Sequence, residues 1–261
     1  LGVPDGWHKE HPKKPSVGSE TASTVCTRGI YETDKLRNWV SAYDLNHTSW
    51  SELAEEWWKF YAVREWLSGG FAWTGFDYRG ESNPFSFPAV SSQFGILDSC
   101  GFPKDGYYYL KAWWGAEPVL HVFPHWNWPD SAGKLLEVQV FSNAEEVELW
   151  LNGQSLGRKP VPKNGHAEWQ LEYHPGELLA RSYVGGREVQ SQSVRTTSSA
   201  QALRVAADRS ELVADGADVA VVRVSAVDAQ GREVPTADAD GTFRLSGPGR
   251  IIGVGNGDPS S

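Results

Sequence analysis

The chain has 261 residues, 12% of them aromatic and 22% charged, with 27 Gly and 15 Pro. This is the composition of a folded, loop-rich protein, and it excludes disorder and collagen-like structure. The formal charge of -9 at pH 7 is spread evenly, with 11 basic against 15 acidic side chains in residues 1–125 and the rest of the excess beyond, so no basic stripe exists to hold phosphates, and nucleic acid and anionic membranes are excluded as partners.

Two counts stand out: 13 Trp and no Met. Eleven of the Trp precede residue 130, so the two ends of the chain are built differently. The absence of Met, together with the start Leu1-Gly-Val-Pro, reads as a fragment of a longer chain, and length alone suggests roughly two domains and a third piece. No run approaches the ~20 apolar residues of a membrane helix. Cys26 and Cys100 match no metal spacing and leave the redox compartment open.

In chain order, Pro15-Ser-Val-Gly-Ser-Glu20 reads as a short strand ending on a carboxylate. Residues 51–68 open on Ser51 as N-cap, carry an acidic first turn, and place Leu53, Trp57, Phe60, Tyr61 and Leu67 at helical spacing, which predicts an amphipathic helix. Gly69-Gly70 ends that helix, and the apolar run Phe71–Phe76 predicts a strand buried on both faces, as in a parallel sheet. After a Gly/Pro/Ser-rich loop over 79–106, residues 107–114 predict a further helix. From about residue 134 the pattern changes to alternating runs at 136–141, 147–151, 166–173 and 177–184, with Asn152-Gly153 and Gly185-Gly186 as two-residue turns; this predicts a β-sandwich of roughly 65 residues. A polar linker over 197–201 leads to runs at 203–206, 219–227 and 242–245, with turns at Asp215-Gly216 and Gln230-Gly231, which predict a second sandwich that is short of strands.

Glu20 lies in Val17-Gly-Ser-Glu-Thr-Ala-Ser-Thr24. A carboxylate at a strand end among small residues suits catalysis in a parallel barrel, whose active site lies at the C-terminal ends of its strands; on pattern alone that signal is weak, and a solvated loop Glu or a helix-cap partner is the common alternative. Trp73, in Gly70-Phe-Ala-Trp-Thr-Gly-Phe-Asp-Tyr-Arg-Gly-Glu81, offers a platform for a sugar ring with Asp77, Arg79 or Glu81 beside it for the hydroxyls; core packing is the other reading. His121 and His125 have the spacing of a metal pair, but Pro124 between them breaks the helix such a pair needs. No metal and no cofactor is expected.

Four segments in order, Gly18-Ser-Glu-Thr-Ala-Ser23, Gly70–Glu81, Ser92-Gln-Phe-Gly-Ile-Leu-Asp98 and Gly101-Phe-Pro-Lys-Asp105, resemble the C-terminal part of the catalytic barrel of glycoside hydrolase family 2, in its bacterial β-galactosidase branch. The resemblance continues through Val147–Gly157 and into Ala214-Asp-Gly216 and Gly253-Val-Gly-Asn-Gly-Asp-Pro259. It implies an α/β portion followed by all-β structure: the end of a (β/α)8 barrel over 1–120, an Ig-like sandwich over 121–197, and a second, truncated sandwich over 198–261. It further implies that Glu20 is the nucleophile of a retaining enzyme and that Trp73 lines the sugar subsite, with Asp77 and Glu81 as substrate contacts.

The family's acid/base Glu follows an Asn, and no Asn-Glu dipeptide occurs here. The expected partners are therefore a β-galactoside and the missing N-terminal half, without which the chain alone is expected to be inactive. A non-catalytic carbohydrate-binding fragment, with Trp150 and Trp169 as further platforms, and a relative acting on a β-mannoside or β-glucuronide are the competing readings. A bacterial periplasmic or secreted location stands ahead of the cytoplasm, and nothing in the residues fixes it.

Overall fold

The computed structural model describes residues 2–259. A first helix, α1 (Gly2–Glu10), leads to strand β1 (Ser16–Thr21), a long loop, helix α2 (Ala54–Tyr61) and strand β2 (Leu67–Ala72). β1 and β2 pair in parallel, with Ser16 opposite Leu67, Gly18 opposite Gly70 and Thr21 opposite Ala72. Helix α2 buries Trp57 and Tyr61, and a Cβ on Gly70 would fall 3.0 Å from Cζ2 of Trp57, so the strand carries glycine where the helix presses on it.

This corrects two expectations. The helix is eight residues long rather than spanning 51–68, and Leu67 opens β2 instead of closing the helix. The double glycine lies inside the strand. Ser51 is not the cap: its hydroxyl accepts the Ser23 N–H at 2.8 Å, while the free N–H groups of Ala54 and Glu55 are met by Thr24 Oγ1 at 2.9 Å and Asp44 Oδ2 at 3.3 Å. The run expected to be buried on both faces also stands largely open, with Phe71 69% and Phe76 55% exposed. β2 has only β1 beside it among the described residues, so its other edge is unpaired there.

Helix α3 (Asp105–Trp114) follows, and then seven antiparallel strands form two sheets. One sheet holds β3 (Leu120–Phe123), β4 (Leu135–Ser142) and β7 (Ala167–Glu172); the other runs in the order β6 (Gln154–Pro160), β5 (Glu146–Leu151), β8 (Glu177–Val184), β9 (Arg187–Arg195). β7 alternates buried and exposed residues, as a half-buried strand must. Its Ala167, Trp169 and Leu171 join Trp126, Val138, Val140, Val147, Leu149, Leu178 and Ala180 in a core closed between the sheets. The two-residue turns fall where expected, and both positions of each take positive φ, from 51° at Asn152 to 80° at Gly153 and 55° and 76° at Gly185 and Gly186, the geometry that matches strand twist in a tight hairpin.

The far face of the β3–β4–β7 sheet is also covered. Phe123 and Phe141 pack with Tyr109 and Leu110 of α3 and with Trp57 and Tyr61 of α2, so the helical part and the sandwich share a second core.

Beyond residue 197 the expected second sandwich reduces, among the described residues, to one antiparallel ribbon of β10 (Ala202–Ala207) and β11 (Val222–Val227). β10 is exposed along its whole length, and residues 242–245, expected as a strand, join no ladder. A single ribbon has no second sheet to bury its apolar face against. No helix among the described residues is long and apolar enough to cross a membrane.

Candidate functional site

The parallel pairing of β1 and β2 brings the ends of the two candidate segments together. Thr21 is buried and donates from Oγ1 to the Phe71 carbonyl at 3.0 Å, and the Trp73 N–H donates to the Thr21 carbonyl at 2.7 Å. Glu20, the residue before Thr21, is exposed at the same strand end, and its carboxylate makes no side-chain hydrogen bond among the described residues. Trp73 follows β2 directly and is half-buried, with its ring edge-on to Tyr78 (centroids 6.2 Å apart, 89° between planes) and 6.4 Å from Phe94. Its peptide bond to Thr74 is cis.

Tyr78 ties the site together electrostatically. Its hydroxyl donates to Glu81 Oε2, and Asn83 Nδ2 reaches the other Glu81 oxygen at 3.5 Å. Burial above all, with the hydrogen bond and charge of Glu81 and a smaller share from the Glu20 carboxylate, pushes the Tyr78 phenol up to about 12. Both anions therefore act on the same neutral phenol.

Asp77 differs from the other three. It is buried, accepts the Gly95 N–H at 2.7 Å and forms an ion pair with Lys104 at 2.7 Å, each side chain being 1% exposed. Lys104 Nζ also donates to the carbonyls of Cys26 at 2.8 Å and Gln93 at 3.0 Å. Burial pushes the Asp77 carboxyl up and Lys104 opposes it. The structure thus brings Glu20, Trp73 and Glu81 together and places Asp77 beneath them, holding the loop.

The loop is held along its length by 92–97. Thr74 donates to Phe94 O at 3.0 Å, Ile96 to Thr74 O at 2.8 Å, Leu97 to Gly75 O at 2.9 Å and Asp77 to Leu97 O at 3.0 Å. At Gly95 a Cβ would lie 2.1 Å from the Asp77 nitrogen and 2.4 Å from the Leu97 oxygen, so no side chain fits. Gln93 extends the lacing to the loop that follows Glu20: it accepts the Thr27 hydroxyl at 2.9 Å and donates to Asn38 O at 2.6 Å. Sequence reasoning placed Gln93, Gly95 and Lys104 within the segments 92–98 and 101–105 that carry the family resemblance, but assigned none of them to the support of the site.

The other candidates do not converge on it. His121 Nε2 meets Asp105 Oδ1 at 2.6 Å and its ring stacks on Tyr108 at 3.8 Å, while burial pushes His125 down to about 4. No group of three or more metal-ligating side chains occurs among the described residues. Trp169 is buried in the sandwich core, and the Arg181 guanidinium lies 5.5 Å from the ring of Trp150, so neither indole joins the Trp73 cluster. Cys26 is buried and Cys100 exposed, and both are free thiols.

Comparison with known proteins gives two family matches. Residues 133–190 match a domain of unknown function (DUF4982), and residues 203–261 match glycoside hydrolase family 2 C-terminal domain 5. A beta-galactosidase of Bacteroides ovatus is 38% identical over 96% of this chain and 31% of its own length, and a putative beta-glucuronidase of Formosa agariphila is 32% identical over 88% of this chain and 23% of its own. Among solved structures, a beta-glycosidase from Bacteroides vulgatus superposes with a TM-score of 0.91 at 28% identity, covering 100% of this chain and 38% of that one. The chain thus spans about a third of the length of the relatives it matches.

Proposed function

Because the chain belongs to glycoside hydrolase family 2, we propose that it forms part of a retaining β-glycosidase acting on terminal β-galactosides, with Glu20 as nucleophile. In this reading β1 and β2 are neighbouring strands of a (β/α)8 barrel whose C-terminal part is residues 1–120, followed by an Ig-like sandwich over 121–197 and a further β module over 198–261. The observation that carries it is the parallel register, which sets an exposed carboxylate at one strand end beside a half-buried indole at the next; in parallel barrels the reacting groups stand at such ends.

These groups define the chemistry. A Glu20 oxygen attacks the anomeric carbon as the glycosidic C–O bond breaks, and a carboxylic acid from chain outside these residues protonates the departing oxygen. That same group, now a carboxylate, takes a proton from water as the water oxygen displaces Glu20 from the anomeric carbon. Two carboxyls about 5 Å apart are needed for this outcome. Glu81 is engaged by Tyr78 and Asn83, which suits it to a hydroxyl contact rather than proton transfer. Trp73 offers its face to the C–H side of the sugar, and Asp77 positions the loop that bears it.

Galactose is favoured by the 38% identical relative, which is named a beta-galactosidase. A β-glucuronide is the second reading, because relatives at 32% and 30% identity carry that name.

In the full-length protein, Glu20→Gln should lower turnover of a chromogenic β-galactoside by several orders of magnitude. A 2-deoxy-2-fluoro-β-galactoside should leave a covalent adduct on the peptide that contains Glu20. An adduct on another carboxylate overturns the nucleophile, and turnover of a β-glucuronide alone overturns the sugar.

A further inference from the structure

Residues 255–258, in the last module, return to the loops around the candidate site from more than 150 residues away in sequence. Gly257, with φ of 76°, lies directly against Asp98; a Cβ there would fall 2.0 Å from Oδ2. The Arg28 guanidinium reaches Asp98 Oδ2 through Nε at 2.5 Å and the Asn256 carbonyl through Nη2 at 3.1 Å. The Trp39 indole N–H donates to Asp258 Oδ1 at 3.3 Å, and Asp258 N–H donates to Asn256 Oδ1 at 2.9 Å. At Gly255 a Cβ would lie 2.8 Å from Cys100 Sγ.

These partners belong to two different loops. Arg28 and Trp39 lie in the loop that leaves β1 just after Glu20; Asp98, Cys100 and Phe102 lie in the loop that laces the Trp73 segment. Asp98 is wholly buried and also accepts the N–H groups of Cys100 and Phe102, each at 2.9 Å, so it is the knot of its own loop. One residue before it, Leu97 bonds Gly75 and Asp77. From Gly257 to the Trp73 segment the path is therefore continuous: Gly257 on Asp98, Asp98 to Leu97 along the chain, and Leu97 to Gly75 by a hydrogen bond.

We propose that Asn256, Gly257 and Asp258 form a positioning strap that fastens the Glu20 loop to the Trp73 loop from outside the strands. Asp258 and Gly257 are positioning residues, and neither touches substrate. The strap gives the last module a part in the site that its own exposed ribbon does not suggest. Gly257 is required twice over, by its positive φ and by the carboxylate lying where a Cβ would go. The catalytic consequence rests on the function proposed above; the structural one does not.

The test uses the full-length protein with Gly257→Ala and, separately, Asp258→Ala, and reads hydrogen exchange of the 28–39 and 93–102 peptides alongside kinetics. Both variants should speed exchange in both peptides about ten-fold or more, since these loops lose their outer tie. On a β-galactoside, kcat/KM should fall about 10- to 100-fold, chiefly through KM, because the platform moves while the nucleophile's chemistry stays. Asp258→Asn keeps an acceptor for Trp39 and should restore most of both losses. Asp228→Asn, which loosens the ribbon's own turn through Arg232, should leave both peptides protected.

Unchanged exchange in Gly257→Ala and Asp258→Ala overturns the strap, as does equal deprotection by Asp228→Asn. If the unaltered protein turns over no glycoside, the proposed function fails while the exchange result still decides the strap. Faster exchange with unchanged kcat/KM on the active enzyme overturns the positioning role.

Discussion

Replacing Lys104 by Met probes the support beneath the site without touching the residues proposed to meet substrate. The change leaves Asp77 buried, with its Gly95 N–H but without a cation, and takes a donor from two carbonyls, of which Gln93 O keeps the Cys26 N–H at 2.9 Å and Cys26 O is left without one. Breaking a buried pair from one side costs about 3–5 kcal/mol. A carboxyl can escape part of that by taking a proton, and this sets a ceiling that depends on pH. From an ordinary value of 3.8, protonation at pH 7 costs about 4.4 kcal/mol and at pH 5 about 1.6 kcal/mol, at ~1.36 kcal/mol per unit.

Lys104→Met should therefore lose about 3–5 kcal/mol at pH 7 and roughly half of that at pH 5. Urea unfolding followed by Trp fluorescence at the two pH values reads the difference. Adding Asp77→Asn keeps the Gly95 contact, removes the stranded charge, and should recover about 2 kcal/mol at pH 7 with little pH dependence left. A loss below about 1 kcal/mol, or one equal at both pH values, would refute the account of Asp77 and Lys104 as a buried structural pair.

Two further predictions concern packing and pH. Gly95→Ala, whose Cβ would overlap backbone atoms of Phe76, Asp77 and Leu97, should cost about 3 kcal/mol or more in the same unfolding assay; a smaller loss shows that the loop can move apart cheaply. At the seam between α2 and the sandwich, Glu55 Oε2 meets His166 Nδ1 at 2.6 Å. Burial pushes Glu55 up, but His166 and Lys59 outweigh it and hold the carboxyl below 4.5; burial pushes His166 down, but Glu55 and Glu168 outweigh it and hold the imidazole above 6.5. The stabilisation is complete between those two values, is lost in acid as Glu55 protonates, and is lost in base as His166 deprotonates. Melting temperatures of His166→Gln should fall furthest below the parent's between pH 4.5 and 6.5; a gap that stays constant into alkaline solution contradicts the pair.

The sandwich is legible in the sequence because its signal is local. Alternation along 167–172 and paired turn residues at 152–153 and 185–186 need only neighbouring residues to be read, and they fall where expected. The helix within 51–68 is not legible to its ends because its boundaries are set from a distance. Leu67 has a place in the helical pattern, yet it is taken by β2 opposite Ser16, and the caps at Ala54 and Glu55 come from Thr24 and Asp44. The same distinction runs through the site. Glu20 and Trp73 stand at strand ends, where short-range pattern points, whereas Asp77 carries a motif position that looks like a contact and is buried by Lys104, 27 residues on. No local rule assigns a lysine after Phe102-Pro103 to the Asp77 carboxylate below Trp73.

The tryptophan surplus shows what these distant contacts have in common. An indole offers a large apolar body and one donor at its edge, which suits a seam where two segments remote in sequence meet and one carbonyl or carboxylate is left to satisfy. Trp113 of α3 donates to Gly165 O at 3.2 Å across the junction with the sandwich, Trp126 to His174 O at 2.9 Å, and Trp39 to Asp258 at 3.3 Å across the strap. Trp57 and Trp58 pack on Trp114 between the two helices. The sequence places most of the tryptophans before residue 130, which suggests barrel packing, yet Trp113 and Trp39 bind that part of the chain to the sandwich and to the last module. The α/β part, whose strand pair leaves Phe71 and Phe76 open, is therefore held from the sandwich side by aromatic seams and from the outer side by the strap.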